Sequence, residues 1–365
     1  MLNKAAALLL VCVGMGACVS CNSSLFSSNN RYVYAAIPAA DEIVAYREDP
    51  NAGVLTELAG SPISAGRTVQ ALAMHPTGKF LYAANAALNN IWVYTIGSNG
   101  SLTQTSISDT GTVPTVMAID SAGSYLYVGN SGSNDISAFS IDSSGGALTA
   151  IAQLSGATAP IGLSALNLQV SPSGNVLYVT GEGTNNQGYI EAFPLTAGVL
   201  GSPITGSPFL TGNNPYGLVI NPSGTFLYTA NKFDNSISEF TINSDGSLTA
   251  LENSPIGESY NAAPVSLLIG KSGAYLYVAN QGSNLAAFDI SSAGGLSTLN
   301  GSPFSTGPQP SILAADPSGN YLFVGNQSSP AIQSFAVDTG DGVLTSVDKY
   351  SITQGTPTSI VVTPK

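Results

Sequence analysis

Charge is scarce in this chain: only 8% of its 365 residues are Asp, Glu, Lys or Arg, and nine Lys plus Arg face 21 Asp plus Glu, a net charge of −12. A surface of that sign repels phosphate backbones and carries no basic stripe, which argues against a nucleic-acid partner. One His and three Cys leave no His pair for zinc and no disulfide framework. There is no GxxxxGK[ST] phosphate cradle and no Gly-x-Ser-x-Gly with a usable His, so neither a metal nor a cofactor is expected. Helical periodicity is nearly absent as well. What is plentiful is turn chemistry, with 40 Gly and 21 Pro, beside a hydrophobic content of 44%. That content is ample for a packed core and argues against disorder.

All three Cys, at positions 12, 18 and 21, fall in the first 21 residues. Lys4 supplies a positive charge, and Ala5 to Val13 is an apolar run too short for a permanent membrane helix, so the segment reads as an export signal. Met15-Gly16-Ala17-Cys18 resembles the lipobox of bacterial lipoproteins, with Met15 in place of the usual Leu. The expectation is a signal peptide over 1–17, acylation at Cys18, and a polar tether over 18–30. Cys21 is the alternative acylation site, and ordinary cleavage is the plainer alternative. Acylation would make the protein an exported, membrane-anchored lipoprotein facing the periplasm or the cell exterior, touching the membrane through its anchor alone.

Self-similarity organises the remainder. PTGKFLYAAN ends at Asn85, SAGSYLYVGN at Asn130, PSGNVLYVTG at Gly181, PSGTFLYTAN at Asn231, KSGAYLYVAN at Asn280 and PSGNYLFVGN at Asn326, with RYVYAAI ending at Ile37 as a seventh copy. The intervals run from 45 to 51 residues. Short runs of aromatic and β-branched residues between Gly, Pro, Asn and Ser predict strands, four to a unit. The third strand carries an Ile-x-x-aromatic pattern, such as Ile43 and Tyr46 or Ile237 and Phe240, whose odd spacing puts the two on opposite faces. Four antiparallel strands buried on both faces describe a propeller blade, and seven units an all-β, seven-bladed β-propeller over 31–365. The first unit lacks an inner strand, while Pro357 to Lys365 has no second strand after it, so the C-terminal strand is expected to complete blade 1.

The period, the PSGxxLYVAN segment and the LTxxxGSP segment (Leu296, then Gly301-Ser302-Pro303) resemble the lactonase-type seven-bladed propellers. That family includes a 6-phosphogluconolactonase and a muconate-cyclising enzyme, and the YVTN surface-protein repeats are related to it. The resemblance implies a Gly-Pro-Arg-His at the start of an inner strand and an Asn-Glu-Leu after a second strand, together opening or closing a lactone. This chain departs from it. The seven Arg-equivalent positions are Gln70, Thr115, Leu166, Tyr216, Val265, Ser311 and Thr358, and none of the seven His-equivalent positions is His. Only Glu182, in Gly181-Glu182-Gly183, matches the acid, and one acid without partners is a poor catalyst.

The lone His75, just before Pro76, reads as a turn residue, and the recurring Asn85, Asn130, Asn231, Asn280 and Asn326 as turn caps. Loops before the inner strands and after the second strands emerge on one side, around the central channel. The candidate ligand-binding residues there are Arg67, Gln70, Thr115, Asn185, Tyr216, Asp234 and Ser311, with Glu182 the candidate catalytic acid. The expected partner is a small molecule, glycan or protein held at this face without catalysis, with lactone hydrolysis around Glu182 as the alternative.

Overall fold

The computed structural model describes residues 30–152, 158–160, 164–183, 186–258, 262–351 and 355–364. The expected signal peptide, Cys18 and the expected tether up to residue 29 therefore lie outside the described residues, as does Asn185.

Seven antiparallel sheets form a ring, each meandering outward from an inner strand. Blades 2 to 7 begin with Val69–Met74, Pro114–Ile119, Ser164–Val170, Pro215–Ile220, Pro264–Ile269 and Pro310–Ala315. Blade 1 takes its second and third strands from Arg31–Ile37 and Glu42–Glu48, and its inner strand is Ser359–Val362, paired antiparallel with Val33 to Ala36. That C-terminal strand touches the inner strands of both blade 7 and blade 2, so the circle closes through blade 1. Closure removes the open edge that a linear array of sheets would expose.

The apolar residues that define the repeat form seven inter-blade cores. Ile43 faces blade 2 while Tyr46, three residues on, packs against blade 7. Ile237 and Phe240 divide between the two sides of blade 5 in the same way. The odd spacing within one pleated strand thus glues each sheet to both neighbours.

The tyrosine of the LY pair, or of Val33-Tyr34 in blade 1, adds a directional bond. Tyr34, Tyr82, Tyr178, Tyr228 and Tyr277 each donate from the hydroxyl to a glycine carbonyl of the next blade, Gly100, Gly146, Gly246, Gly294 and Gly342, at 2.7 to 3.0 Å. These glycines have positive φ, and a Cβ added at Gly294 would fall 2.4 Å from the Phe226 ring. Glycine is therefore required there for backbone conformation and for close approach.

The four-strand expectation needs one refinement. In five blades the outer strand is broken, and a fifth short strand, such as Ile63–Ser64, resumes pairing with the third strand. In blades 1, 4 and 6 the break carries the Gly-Ser-Pro segment, and in blade 5 its variant Asn253-Ser254-Pro255. The hydroxyls of Ser61, Ser207, Ser254 and Ser302 accept the third-strand N–H of Ala45, Ala192, Glu239 and Ala287 at 2.8 to 3.1 Å. A side chain thus replaces the carbonyl that the interrupted ladder withholds.

Candidate channel site

Each inner strand of blades 2 to 7 begins with a β-bulge. Val69 pairs with Asn85 and Ala71 with Ala84, so Gln70 is skipped. The same slip passes over Thr115, Leu166, Tyr216, Val265 and Ser311. A bulge re-aims the unpaired residue. These six positions, with Thr358 just before the closing strand, are the seven that the family pattern marks for its Arg, and all seven line one cavity of about 510 Å³ on the channel axis.

In five of the six blades with a bulge, blade 4 aside, the approach is fixed by a residue in the left-handed region. Thr68, Val113, Asn214, Ala263 and Gln309, none of them glycine, have φ between 47° and 56° immediately before the inner strand. Such backbone is costly, most of all for a β-branched Val or Thr, and persists only where surrounding bonds over-determine it. Each of these carbonyls accepts the N–H of the residue that follows the second strand of the same blade: Ala86, Ser131, Lys232, Gln281 and Gln327. The mouth of the cavity is thus a built ring, with bulge residues below and these residues above.

The recurring Asn behave differently from turn caps. Asn85, Asn130, Asn231, Asn280 and Asn326 are fully buried, and the left-handed positions belong to neighbours such as Asn89, Asn134 and Asn235. The amide of Asn231 donates to Ser236 and Ser238, that of Asn130 to Asp135 and Ser137, and Asn85 accepts from Arg67 N–H. The amides of Asn130 and Asn231 thus tie the end of the second strand to the third, and Asn85 holds the rim loop at Arg67, while both polar side-chain atoms of Asn326 are buried without a hydrogen-bond partner. His75 is likewise structural. It is buried, with Nδ1 against Thr77 and Nε2 2.9 Å from the Gly123 carbonyl, tying its turn to the next blade.

Of the candidate ligand residues, the structure brings Gln70, Thr115, Tyr216 and Ser311 together in the cavity wall. Thr115 Oγ1 is buried and unpartnered there. Arg67 and Asp234 lie outside that wall. Arg67 is exposed on the rim, and the Asp234 carboxylate accepts from the backbone and the amide of Asn213 at 2.7 and 3.0 Å. Glu182 also lies off the wall, held at 2.8 Å by the amide of Asn214. Among the described residues no group of three His, Cys, Asp or Glu could hold a metal.

Two charged residues escaped the sequence reading. The Lys232 ammonium stands over the Tyr216 ring, 5.4 Å from its centroid, at the equivalent of the Glu182 position one blade along. Glu258 sits under the rim of blade 6, accepting from Asn280 at 2.9 Å, with its other oxygen buried and unpartnered. Burial pushes its carboxyl up to about 7, against the smaller opposing effect of the Asn280 bond. It is outside the cavity wall.

Ring, bulges and cavity define a seven-bladed propeller with a ligand-sized central channel. The family model described as Lactonase, 7-bladed beta-propeller matches residues 24–164, 167–287 and 259–362, and the chain belongs to that family. A 6-phosphogluconolactonase of Yersinia pestis (strain Pestoides F) is 26% identical over 330 residues, covering 88% of this chain and 95% of that protein. Among solved structures, a Lactobacillus plantarum protein superposes with a TM-score of 0.75 at 21% identity, over 91% of this chain and 99% of the other. A periplasmic gluconolactonase of Pseudomonas aeruginosa gives 0.73 at 18% identity, over 92% and 99%. At those identities the superpositions speak for the fold alone.

Proposed function

We propose that the channel binds a small, hydroxyl-rich ligand of the sugar-lactone class and turns it over slowly or not at all. The observation that carries this reading is the set of six bulge residues and Thr358. They present amide, hydroxyl, phenol and aliphatic groups to a cavity of about 510 Å³, with no carboxylate, imidazole or guanidinium among the lining residues. Such a wall suits hydroxyls and a ring carbonyl. The wall itself supplies no proton shuttle and no cation for ester opening, the Lys232 ammonium standing at its mouth over Tyr216, and losing one charge-stabilising donor costs about 3 to 4 kcal/mol of barrier, or roughly 10² to 10³ in rate.

Family membership favours a second reading, hydrolysis with Glu182 as base. Calorimetry and a hydrolysis assay with a panel of sugar lactones separate the two. Saturable binding that weakens at least fivefold in Gln70→Leu, with turnover near the uncatalysed rate, is the expected result. Robust turnover lost in Glu182→Gln would establish the hydrolase instead, and absence of any binding would sink both.

A further inference from the structure

Lys232 is an unusual group for this molecule. It is one of nine basic residues in a chain of net charge −12, and it makes no ion pair among the described residues. It is held half-buried at the channel mouth, its backbone N–H bonded to the Asn214 carbonyl at 2.9 Å and its ammonium over an aromatic ring. That ring belongs to Tyr216, the sole aromatic among the six bulge residues and Thr358, which lines the cavity and remains 44% exposed. Its backbone carbonyl accepts from the amide of Asn167, itself in the cavity wall, at 3.2 Å. The platform is therefore anchored from beneath, while its open surface is left to a ligand.

Taking the channel reading above as its basis, we infer that Tyr216 and Lys232 form a subsite for a cyclic sugar acid: a pyranose ring carrying a carboxylate, as in a hexuronic acid. An exposed phenol ring offers a flat apolar face to the C–H face of a sugar ring, which an open-chain acid lacks. The ammonium, on a flexible four-carbon stem, can leave the ring face for a carboxylate at the sugar's edge. A monoanion fits better than a phosphate dianion. One ammonium is present with no guanidinium fork beside it, and the Glu182 carboxylate is fixed to Asn214, the residue whose carbonyl holds Lys232.

The test is calorimetric titration of the protein with D-glucuronate, D-glucose and D-glucose 6-phosphate. Glucuronate should bind at least tenfold tighter than glucose, the size expected of one charge-assisted hydrogen bond. Lys232→Gln should bring the two affinities to within about twofold, and Lys232→Arg should restore most of the preference. Tyr216→Leu should weaken glucuronate and glucose together. Equal binding of glucuronate and glucose, or a preference untouched by Lys232→Gln, would overturn the subsite while leaving the channel reading in place. Tighter binding of the phosphate ester than of glucuronate would also overturn it. If no sugar or lactone binds at all, the channel reading itself fails and the subsite with it.

Discussion

The Tyr228 ring is fully buried, and its hydroxyl donates to the Gly294 carbonyl of the next blade at 2.7 Å. Burial, with a smaller push from Glu239, raises its ionisation far above that of a free phenol, so it stays a neutral donor. Phe323 fills the same place in blade 7, which shows that the ring fits without its hydroxyl. Tyr228→Phe should therefore remove one bond and little packing, costing about 1 to 2 kcal/mol because the Gly294 carbonyl loses its donor. Thermal unfolding should read this as a drop of roughly 1.5 to 3 °C, and an unchanged melting point would show the bond contributes nothing. At this scale the sequence was half legible. The alternation of Tyr with small residues announced a buried strand face. The bond to a glycine 66 residues away could not be read, because it exists only once two blades are apposed. The roles of Asn85, Asn130 and Asn231 are hidden for the same reason, since their partners lie across the rim loop. Lys232 was passed over because its place in the ring is set by the carbonyl of Asn214, a long-range bond.

Among the elements, the closing strand Ser359–Val362 is the one most legible in the sequence and most exposed to test. The split repeat announced it, since RYVYAAI had no inner strand of its own. Its burial is less even than the run of Ile360, Val361 and Val362 suggested. Ile360 is buried and the two valines only partly so, because one side of an inner strand faces the channel. Side-chain bonds make up part of the difference: Thr363 accepts from Tyr32 N–H, Ser359 from Leu72 N–H, and Thr358 donates to the Gln70 carbonyl. Deleting residues 357–365 should remove these bonds and one aliphatic anchor worth about 1.5 to 3 kcal/mol, and bare the edge of Arg31–Ile37. The expected outcome is aggregation or a melting point many degrees lower. A truncated chain melting like the intact one would refute closure through this strand. The bulges that open every other inner strand were not visible beforehand. Counting residues back from a turn finds the seven positions but not that six of them are unpaired, since pairing depends on the partner strand.

Acidic groups dominate the whole molecule, and three of them are placed to make its stability depend on pH in an uncommon direction. Burial pushes Glu48, Glu191 and Glu258 each up to about 7. At Glu48 the Asp316 carboxylate adds repulsion, and Arg31, 3.7 Å away and also paired with Asp316, opposes it. This cluster sits at the junction of blades 7 and 1, with the Glu48 and Asp316 side chains fully buried and both Glu48 oxygens without a hydrogen-bond partner. One guanidinium serves two carboxylates, so a neutral Glu48 leaves a balanced pair and an ionised one leaves excess buried charge. A folded value raised above the ordinary carboxylate range means the native state keeps protons that the unfolded chain has released. Stability from these groups is thus full below about pH 4.5, falls as pH rises towards 7, and is flat above. Melting temperature should decline from pH 5 to pH 8. Approach to the isoelectric point also relieves general repulsion in the same direction, but that contribution is screened by salt and the buried one is not. Glu48→Gln separates them: at high salt it should stabilise the protein by about 2 kcal/mol at pH 8, leave it unaltered at pH 5, and leave a shallower slope from Glu191 and Glu258. A melting point that rises with pH, or a Glu48→Gln effect equal at both ends, would show that the junction of blades 7 and 1 does not hold the proton.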